Sequence, residues 1–268
     1  MPAIGLYIIG DEILSGKRAD KHLPKFIEIL QQRGLQLSWA NYLGDDPARI
    51  TAAFKQSLAG SDIVFSTGGI GATPDDHTRQ CVANALGRRL ELHPQAKVLI
   101  QQRAAEMAAA KGETLDLQAP EQLQRLKMGE FPQGAELIPN SFNRIPGFAI
   151  RLPDTQHYFV PGFPEMAWSM MEWVLDTHYP HLFHQTAWAE RALWVYEVPE
   201  SALTPLMEQL EQQFPQIKVF SLPSVATAER RACIELGVKG SPEQVAPAFA
   251  AMQAHLQQRQ AEFQVIST

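Results

Sequence analysis

Short apolar runs alternate with amphipathic stretches through the first half of the chain, the pattern of buried strands joined by covering helices. Ile4 to Ile9 reads as a buried strand, and Asp20 to Arg33 as a helix with Leu23, Phe26, Ile27 and Leu30 on one face and Gly34 as its stop. Leu35 to Leu43 is the next expected strand. Asp45-Asp46-Pro47 then starts a helix to about Leu58, because Asp46 can cap free N–H groups and Pro47 stands where its missing N–H costs nothing. The run Asp62 to Ser66 has a parallel strand's composition, and Thr78 to Leu86 reads as a helix ended by Gly87. Strands and helices alternating at these lengths imply an α/β fold with a mostly parallel sheet covered on both faces. Ligands of such sheets collect at the carboxyl ends of the strands.

Beyond Gly87 the pattern gives a helix over Pro94 to Lys111, a Gly/Thr/Asp-containing break and a second helix opened by Pro120-Glu121. Strand-like segments follow at Glu136 to Pro139, Phe148 to Leu152 and His157 to Val160. The last runs into the rigid turn Pro161-Gly162-Phe163-Pro164 and a helix to about Tyr179, whose first turn holds Glu165 where it complements the helix dipole. A boundary is expected at Pro180 to Gln185, dividing the chain into residues 1–180 and 186–268. The tail reads as strand (Ala187 to Val198), helix (Ser201 to Phe214), strands (Lys218 to Leu222 and Arg230 to Val238) and helix (Pro242 to Arg259), a small α+β unit. It offers no catalytic cluster, and its Trp188 and Trp194 fit core or interface anchors.

The 268 residues are 45% hydrophobic and 19% charged, ordinary for a chain that buries a core. A net charge of -6 and the lack of any basic stripe disfavour a nucleic-acid partner. Cys81 and Cys233 are too far apart in sequence for a zinc spacing or a disulfide framework and read as core residues. The start of the chain does not read as a signal peptide and no run approaches membrane-spanning length, so a cytoplasmic protein with no membrane association is expected.

The candidate chemistry lies in Thr67-Gly68-Gly69-Ile70-Gly71-Ala72-Thr73-Pro74-Asp75-Asp76-His77-Thr78, which packs three glycines and two adjacent carboxylates between a strand and a helix. Glycines there let backbone approach a ligand closely, and the N–H groups beyond them favour an anion. The segment matches neither the P-loop nor the dinucleotide fingerprint, and glycines alone would only turn the chain. Asp75 and Asp76 change the reading, since like charges beside an anion site repel each other and the ligand unless a cation is shared. Gly10-Asp11-Glu12-Ile13-Leu14-Ser15-Gly16 follows the first strand and reaches the same rim. One acidic turn is ordinarily solvated surface, but two converging ones read as a site. His178, His181 and His184 are spaced by three, yet Pro180 interrupts any helix carrying them, so they read as a solvated helix end. No nucleophile elbow is present and Ser15 has no histidine partner in its loop, so acyl transfer lacks support.

Together, Gly10 to Gly16, Thr67 to Thr78 and Pro161-Gly162-Phe163-Pro164-Glu165-Met166 resemble the amino-terminal domain of the CinA (competence/damage-inducible) family. That domain is similar in fold to the molybdopterin-binding MoaB/MogA proteins and to the hydrolase-like domain of eukaryotic FAD synthases. The resemblance covers about Met1 to Tyr179 and implies a three-layer MoaB/MogA-like domain, with a small KH-like domain in the tail. Pro74-Asp75-Asp76 separates the CinA branch from molybdopterin enzymes with Pro-Arg-Asp. Ala72 departs from the family's usual proline, and Asn140-Ser141-Phe142-Asn143-Arg144-Ile145-Pro146-Gly147 is a loose version of its Asn-rich segment. The nicotinamide mononucleotide deamidase domain of longer CinA proteins needs well over a hundred further residues, so deamidation is not expected.

The resemblance implies a metal-dependent nucleotide pyrophosphatase hydrolysing ADP-ribose or a related dinucleotide such as FAD to AMP and a phosphorylated product. Cobalt, manganese or magnesium is the implied metal, with a monovalent cation as a further candidate. Asp11 and Asp76 are the expected metal ligands, with Asp75 and Glu12 ligating, accepting a proton or orienting the shell. Gly68, Gly69 and Gly71 are expected to offer N–H groups to the phosphates, assisted by the hydroxyls of Thr67, Ser15 and Thr73. The rivals are a molybdopterin-binding or adenylyl-transferring protein on the same loops, and a non-catalytic nucleotide-binding or assembly protein. The aromatic tail points to a homodimer.

Overall fold

The computed structural model describes residues 2–185, 189–227 and 231–266. The chain divides into two compact units, Met1–Phe183 and His184–Thr268.

The first unit runs β1 (Ile4–Ile9), α1 (Asp11–Leu14), α2 (His22–Gln31), β2 (Trp39–Leu43), α3 (Pro47–Leu58), β3 (Ile63–Thr67) and α4 (Thr78–Leu86). There follow β4 (Leu90–Leu92), α5 (Pro94–Lys111), α6 (Pro120–Leu126), β5 (Glu130–Pro132), β6 (Glu136–Ile138), β7 (Gly147–Arg151), β8 (Gln156–Val160) and α7 (Pro164–His178). The central sheet has the order β2-β1-β3-β8-β7-β6. Its first four strands are mutually parallel, while β7 pairs antiparallel with β8 and β6 antiparallel with β7. The reversal between β7 and β8 is a tight turn in which Leu152 N–H donates to the Thr155 carbonyl at 2.9 Å.

Strand geometry explains the three layers, since successive side chains of a strand point to opposite faces. Leu6 and Ile8 of β1 pack with Phe26, Ile29 and Leu30 of α2 and Met170, Met171 and Val174 of α7. Tyr7 and Ile9 pack instead with Ile50 and Phe54 of α3 and Cys81 and Val82 of α4. A strand between two layers is buried on both sides, which is why β1 and the Ile63 to Phe65 part of β3 read as apolar runs.

The expected strand over Leu35 to Leu43 is shorter than its apolar pattern suggested, because Leu35 drops into the core and ladder pairing with β1 begins only at Trp39. The loop expected at Gly10 to Gly16 contains a single helical turn, closed by Ser15 N–H donating to Asp11 O at 2.8 Å. The helix expected from Asp20 starts at His22, with Asp20 as its anchor: its carboxylate accepts the N–H groups of His22 (2.8 Å) and Leu23 (3.1 Å).

The second unit comprises β9 (Ala189–Tyr196), α8 (Glu200–Gln213), β10 (Ile217–Ser224), β11 (Cys233–Gly240), α9 (Pro242–Gln258) and β12 (Phe263–Val265). Its antiparallel sheet, β10-β11-β9-β12, packs Leu193, Val195, Leu236 and Val238 against Leu203, Leu206 and Leu210 of α8 and Phe249, Met252 and Leu256 of α9. The expected first residues of two of these strands, Ala187 and Arg230, and the anchor Trp188 lie outside the described residues. Trp194 is half-buried in β9, between the core residues Leu193 and Val195. Cys81 and Cys233 are both buried free thiols. No described helix is long and apolar enough to cross a membrane.

Candidate functional site

All four parallel strands deliver their carboxyl ends to one rim, the place where such sheets bind ligands. A cavity of about 160 Å³ opens there. The turn after β1 contributes Gly10, Glu12 and Arg18, the turn after β2 Asp45, the loop after β3 Gly68, Gly69, Asp75 and Asp76, and the turn after β8 Gly162 and Phe163.

Glycine is required at the start of the central loop. Gly68 has φ 93°, and a β-carbon on it would strike the Ile9 carbonyl; Gly69 has φ 66°, and a β-carbon on it would strike the Thr78 hydroxyl. Thr78 ties the loop down, its hydroxyl donating to Gly68 O at 3.0 Å and its N–H to Gly69 O at 2.9 Å. The N–H of Gly68 donates to Val160 O at 3.1 Å, so Gly68 supplies room at the site rather than the donor expected of it. The N–H groups of Gly69, Ile70 and Gly71 have no acceptor among the described residues, leaving them free for an anion.

Asp76 is held within its own loop, its Oδ2 accepting from Thr73 N–H at 2.8 Å and from the Thr73 hydroxyl at 2.5 Å. The Thr73 hydroxyl beside Asp75, and Asp75's own backbone N–H, keep the Asp75 carboxyl below the usual carboxylate range. Asp11 and Asp45 clasp each other: Asp11 N–H donates to Asp45 Oδ2 at 2.9 Å and Asp45 N–H to Asp11 Oδ1 at 3.1 Å. Burial pushes the Asp45 carboxyl up, and the charges of Asp11, Glu12 and Asp75 push the same way against the Asp11 N–H bond. Four carboxylates thus crowd one rim, with Arg18 the cationic side chain in the lining.

The structure therefore brings Glu12, Asp75, Asp76, Gly68 and Gly69 of the expected residues to the cavity wall. Asp11 adjoins the wall but aims its carboxylate at the Asp45 backbone, and Gly71 stands behind Asp76. Thr73 acts on Asp76; Thr67 is buried at the end of β3, and Ser15 caps α1 in solvent, so neither lines the cavity. Asp45 and Arg18 were not anticipated. Asp45 was read only as part of the helix start that Asp46 caps, as expected, its Oδ1 accepting from Ala48 N–H at 2.8 Å. Parallel pairing of β2 beside β1 was the available signal for Asp45; nothing in the sequence marked Arg18.

A third unanticipated residue is Arg79, which is buried and makes no carboxylate ion pair among the described residues. Its guanidinium donates to the carbonyls of Gly71 (2.5 Å), Lys127 and Glu130 (3.3 Å), pinning the glycine loop to the segment after α6. From α6 itself Gln124 donates to Ala72 O at 2.6 Å. His178, of the histidine series, packs against the rings of Tyr158, Trp173 and Tyr179.

A mostly parallel α/β sheet with a glycine-turned, acid-rimmed cavity at its carboxyl edge is the architecture these elements define. Residues 5–184 match the family described as "Probable molybdopterin binding domain", and the chain belongs to that family, in its CinA-like branch. It is 31% identical over 246 residues to a CinA-like protein of Anaeromyxobacter sp. (strain Fw109-5), covering 86% of this chain and 57% of that protein. A CinA-like protein of Citrifermentans bemidjiense is 31% identical over 207 residues, covering 76% of this chain and 47% of that protein. The chain thus spans about half the length of these CinA-like relatives. Among solved structures it is similar to CinA of unknown function from Thermoplasma acidophilum, with TM-score 0.55 and 25% identity, over 65% of this chain and 97% of that one. The tungsten cofactor synthesizing protein MoaB from Pyrococcus furiosus gives a TM-score of 0.41 at 19% identity, over 68% of this chain and 94% of that one.

Proposed function

We propose that this protein is a divalent-metal-dependent nucleotide pyrophosphatase that cleaves ADP-ribose or a related dinucleotide to AMP and a phosphorylated product. The observation that carries the reading is the placement of the unbonded Gly69 amide beside Glu12, Asp45, Asp75 and Asp76 around one small cavity. A diphosphate suits the amide but is repelled by the carboxylates, so a cation between them reconciles the two. The donor set is entirely carboxylate oxygen, which fits a hard divalent ion. Among the described residues no three His, Cys, Asp or Glu side chains converge on one point, so a closed protein-only centre is not the form this takes. The fit is with an ion that keeps several waters and is held by one or two carboxylates together with the substrate's own phosphates.

In this reading Asp76 is the principal metal ligand, because its Oδ2 is anchored by Thr73 while Oδ1 remains for the ion. Glu12 and Asp75 complete or orient the shell, and Asp11 acts through Asp45 by fixing its backbone. When bound, the ion neutralises phosphoryl charge and lowers the pKa of a coordinated water. The chain's own part is orientation: the Gly69 amide contacts the diphosphate, Arg18 offsets its remaining charge, and Asp75 accepts a proton or orients the shell.

The family description favours a second reading, in which a pterin occupies the same cavity. Asp75, where pterin enzymes of the fold resemblance carry arginine, argues for the first. The test is a panel of ADP-ribose, FAD, NAD and diadenosine polyphosphates against Mg²⁺, Mn²⁺ and Co²⁺ with product detection. Hydrolysis of at least one diphosphate to AMP supports the proposal; a blank panel with measurable pterin binding supports the rival.

A further inference from the structure

The cavity is too small for the ligand just proposed. At about 160 Å³ it accommodates a diphosphate and an ion, whereas pockets that enclose a whole small-molecule ligand run to roughly 300–1,000 Å³. The rest of a dinucleotide must lie on the rim, and the rim carries an aromatic ring that no fold role explains. Phe163 is 59% exposed, yet it lines the wall beside Glu12, Arg18 and Asp75. Its backbone is fixed, because its carbonyl accepts the first bonds of α7 from Met166 N–H (3.0 Å) and Ala167 N–H (2.9 Å). A rigidly mounted ring with a free face is the form of a stacking platform.

The turn that presents it is clamped from beneath. His22 is buried, and its Nε2 lies 3.1 Å from Gly162 O, which can only accept, so the ring is the Nε2–H tautomer. Its Nδ1 has no partner among the described residues. Burial lowers the pKa of His22, opposed by the Gly162 carbonyl and by Asp20 and Glu165. Gly162 rests on the glycine loop: a β-carbon built on it would stand 3.4 Å from Gly68 Cα. The clamp therefore sets the height of Phe163 above the diphosphate cavity.

Building on the nucleotide reading, we infer that Phe163 is the base-recognition platform of the site, stacking the planar ring of a nucleoside diphosphate ligand, and that His22 is the residue positioning it through Gly162. Specificity follows from this division of labour. The loop amide and carboxylates recognise any diphosphate with its cation, while Phe163 selects ligands carrying an aromatic base. Arg18 lines the same wall.

The test is calorimetric titration with two probes that resist hydrolysis, methylene-bridged ADP-ribose and base-free methylenediphosphonate, each with Mg²⁺. Phe163→Ala is expected to weaken the ADP-ribose analogue about tenfold while leaving methylenediphosphonate unchanged, and Phe163→Tyr to bind both as wild type does. His22→Leu is expected to weaken the analogue, and His22→Gln, whose amide can still donate to Gly162, to restore it. Circular dichroism confirms that each variant is folded. Wild-type affinity of the analogue for Phe163→Ala, or equal loss of both probes, overturns the platform and leaves the pyrophosphatase reading standing. Failure of the wild type to bind either probe overturns that reading itself.

Discussion

Asp11 and Asp45 hold each other by reciprocal bonds, each backbone N–H donating to the other's carboxylate at 2.9 and 3.1 Å. The pair joins the turns after β1 and β2 into one rigid acidic wall, with a cost: Asp45 is partly buried among the like charges of Asp11, Glu12 and Asp75, and its folded-state pKa is raised. A raised carboxyl pKa favours the folded state most below the unfolded value of 3.8, and that contribution is lost as pH rises through the folded pKa. Asp45→Asn is therefore expected to raise the thermal midpoint at pH 7 in EDTA by a few degrees, on the order of 2–4 °C. Mn²⁺ should raise the midpoint of the wild type and do so less in the variant. A midpoint lowered by Asp45→Asn would show the carboxylate to be stabilising and remove the case for an uncompensated acidic wall.

Arg79 organises the loop without touching the cavity. Replacing it by Met leaves the carbonyls of Gly71, Lys127 and Glu130 without their donor in a partly buried setting. Each lost partner costs about 1–3 kcal/mol, partly relieved by relaxation, so Arg79→Met is expected to destabilise by roughly 2–4 kcal/mol in urea unfolding. A change below about 1 kcal/mol would show that the loop holds itself.

How far the site could be read from the chain differs by element. β1, β3 and the glycine loop were legible because burial on both faces writes an apolar run, and positive φ beside a crowding backbone leaves only glycine. The three-residue strands β4, β5 and β12 were missed, although the equally short β6 was read. Leu35 looked like strand because core burial and ladder pairing demand the same residue type, and only the second makes a strand. Arg18 and Arg79 were invisible for another reason: a long side chain's destination depends on tertiary placement, and a lone arginine in a sequence has none.

His157 is expected to make the first unit sensitive to acid. It is fully buried in β8, and burial lowers its pKa from 6.5 to about 4, opposed by the Ser57 backbone and the charge of Asp62. The folded state therefore binds fewer protons than the unfolded state between those values, and stability falls as pH drops through that window. The loss should be on the order of 3 kcal/mol between neutrality and pH 4 for this group. His157→Phe should flatten that part of a pH series of urea midpoints; an unchanged slope would assign the sensitivity to other groups.

Arg18 shares the cavity wall with the acidic groups but is not placed to exchange a proton. Arg18→Gln is expected to raise KM for a diphosphate substrate about tenfold with kcat within about twofold, the pattern of lost uniform binding. A fall in kcat at constant KM would instead place Arg18 in the transition state.

The central claim, that carboxylates of the glycine-loop rim and a divalent ion cleave a nucleotide diphosphate, is tested most directly by following AMP released from ADP-ribose by wild type and Asp76→Asn. Asparagine keeps an acceptor for the Thr73 N–H and hydroxyl, so the loop should remain folded. AMP is predicted to form with Mg²⁺, Mn²⁺ or Co²⁺, to stop on addition of EDTA, and to slow by about a hundredfold or more in the variant. AMP release that persists in EDTA, or that proceeds at the wild-type rate in Asp76→Asn, would contradict the account.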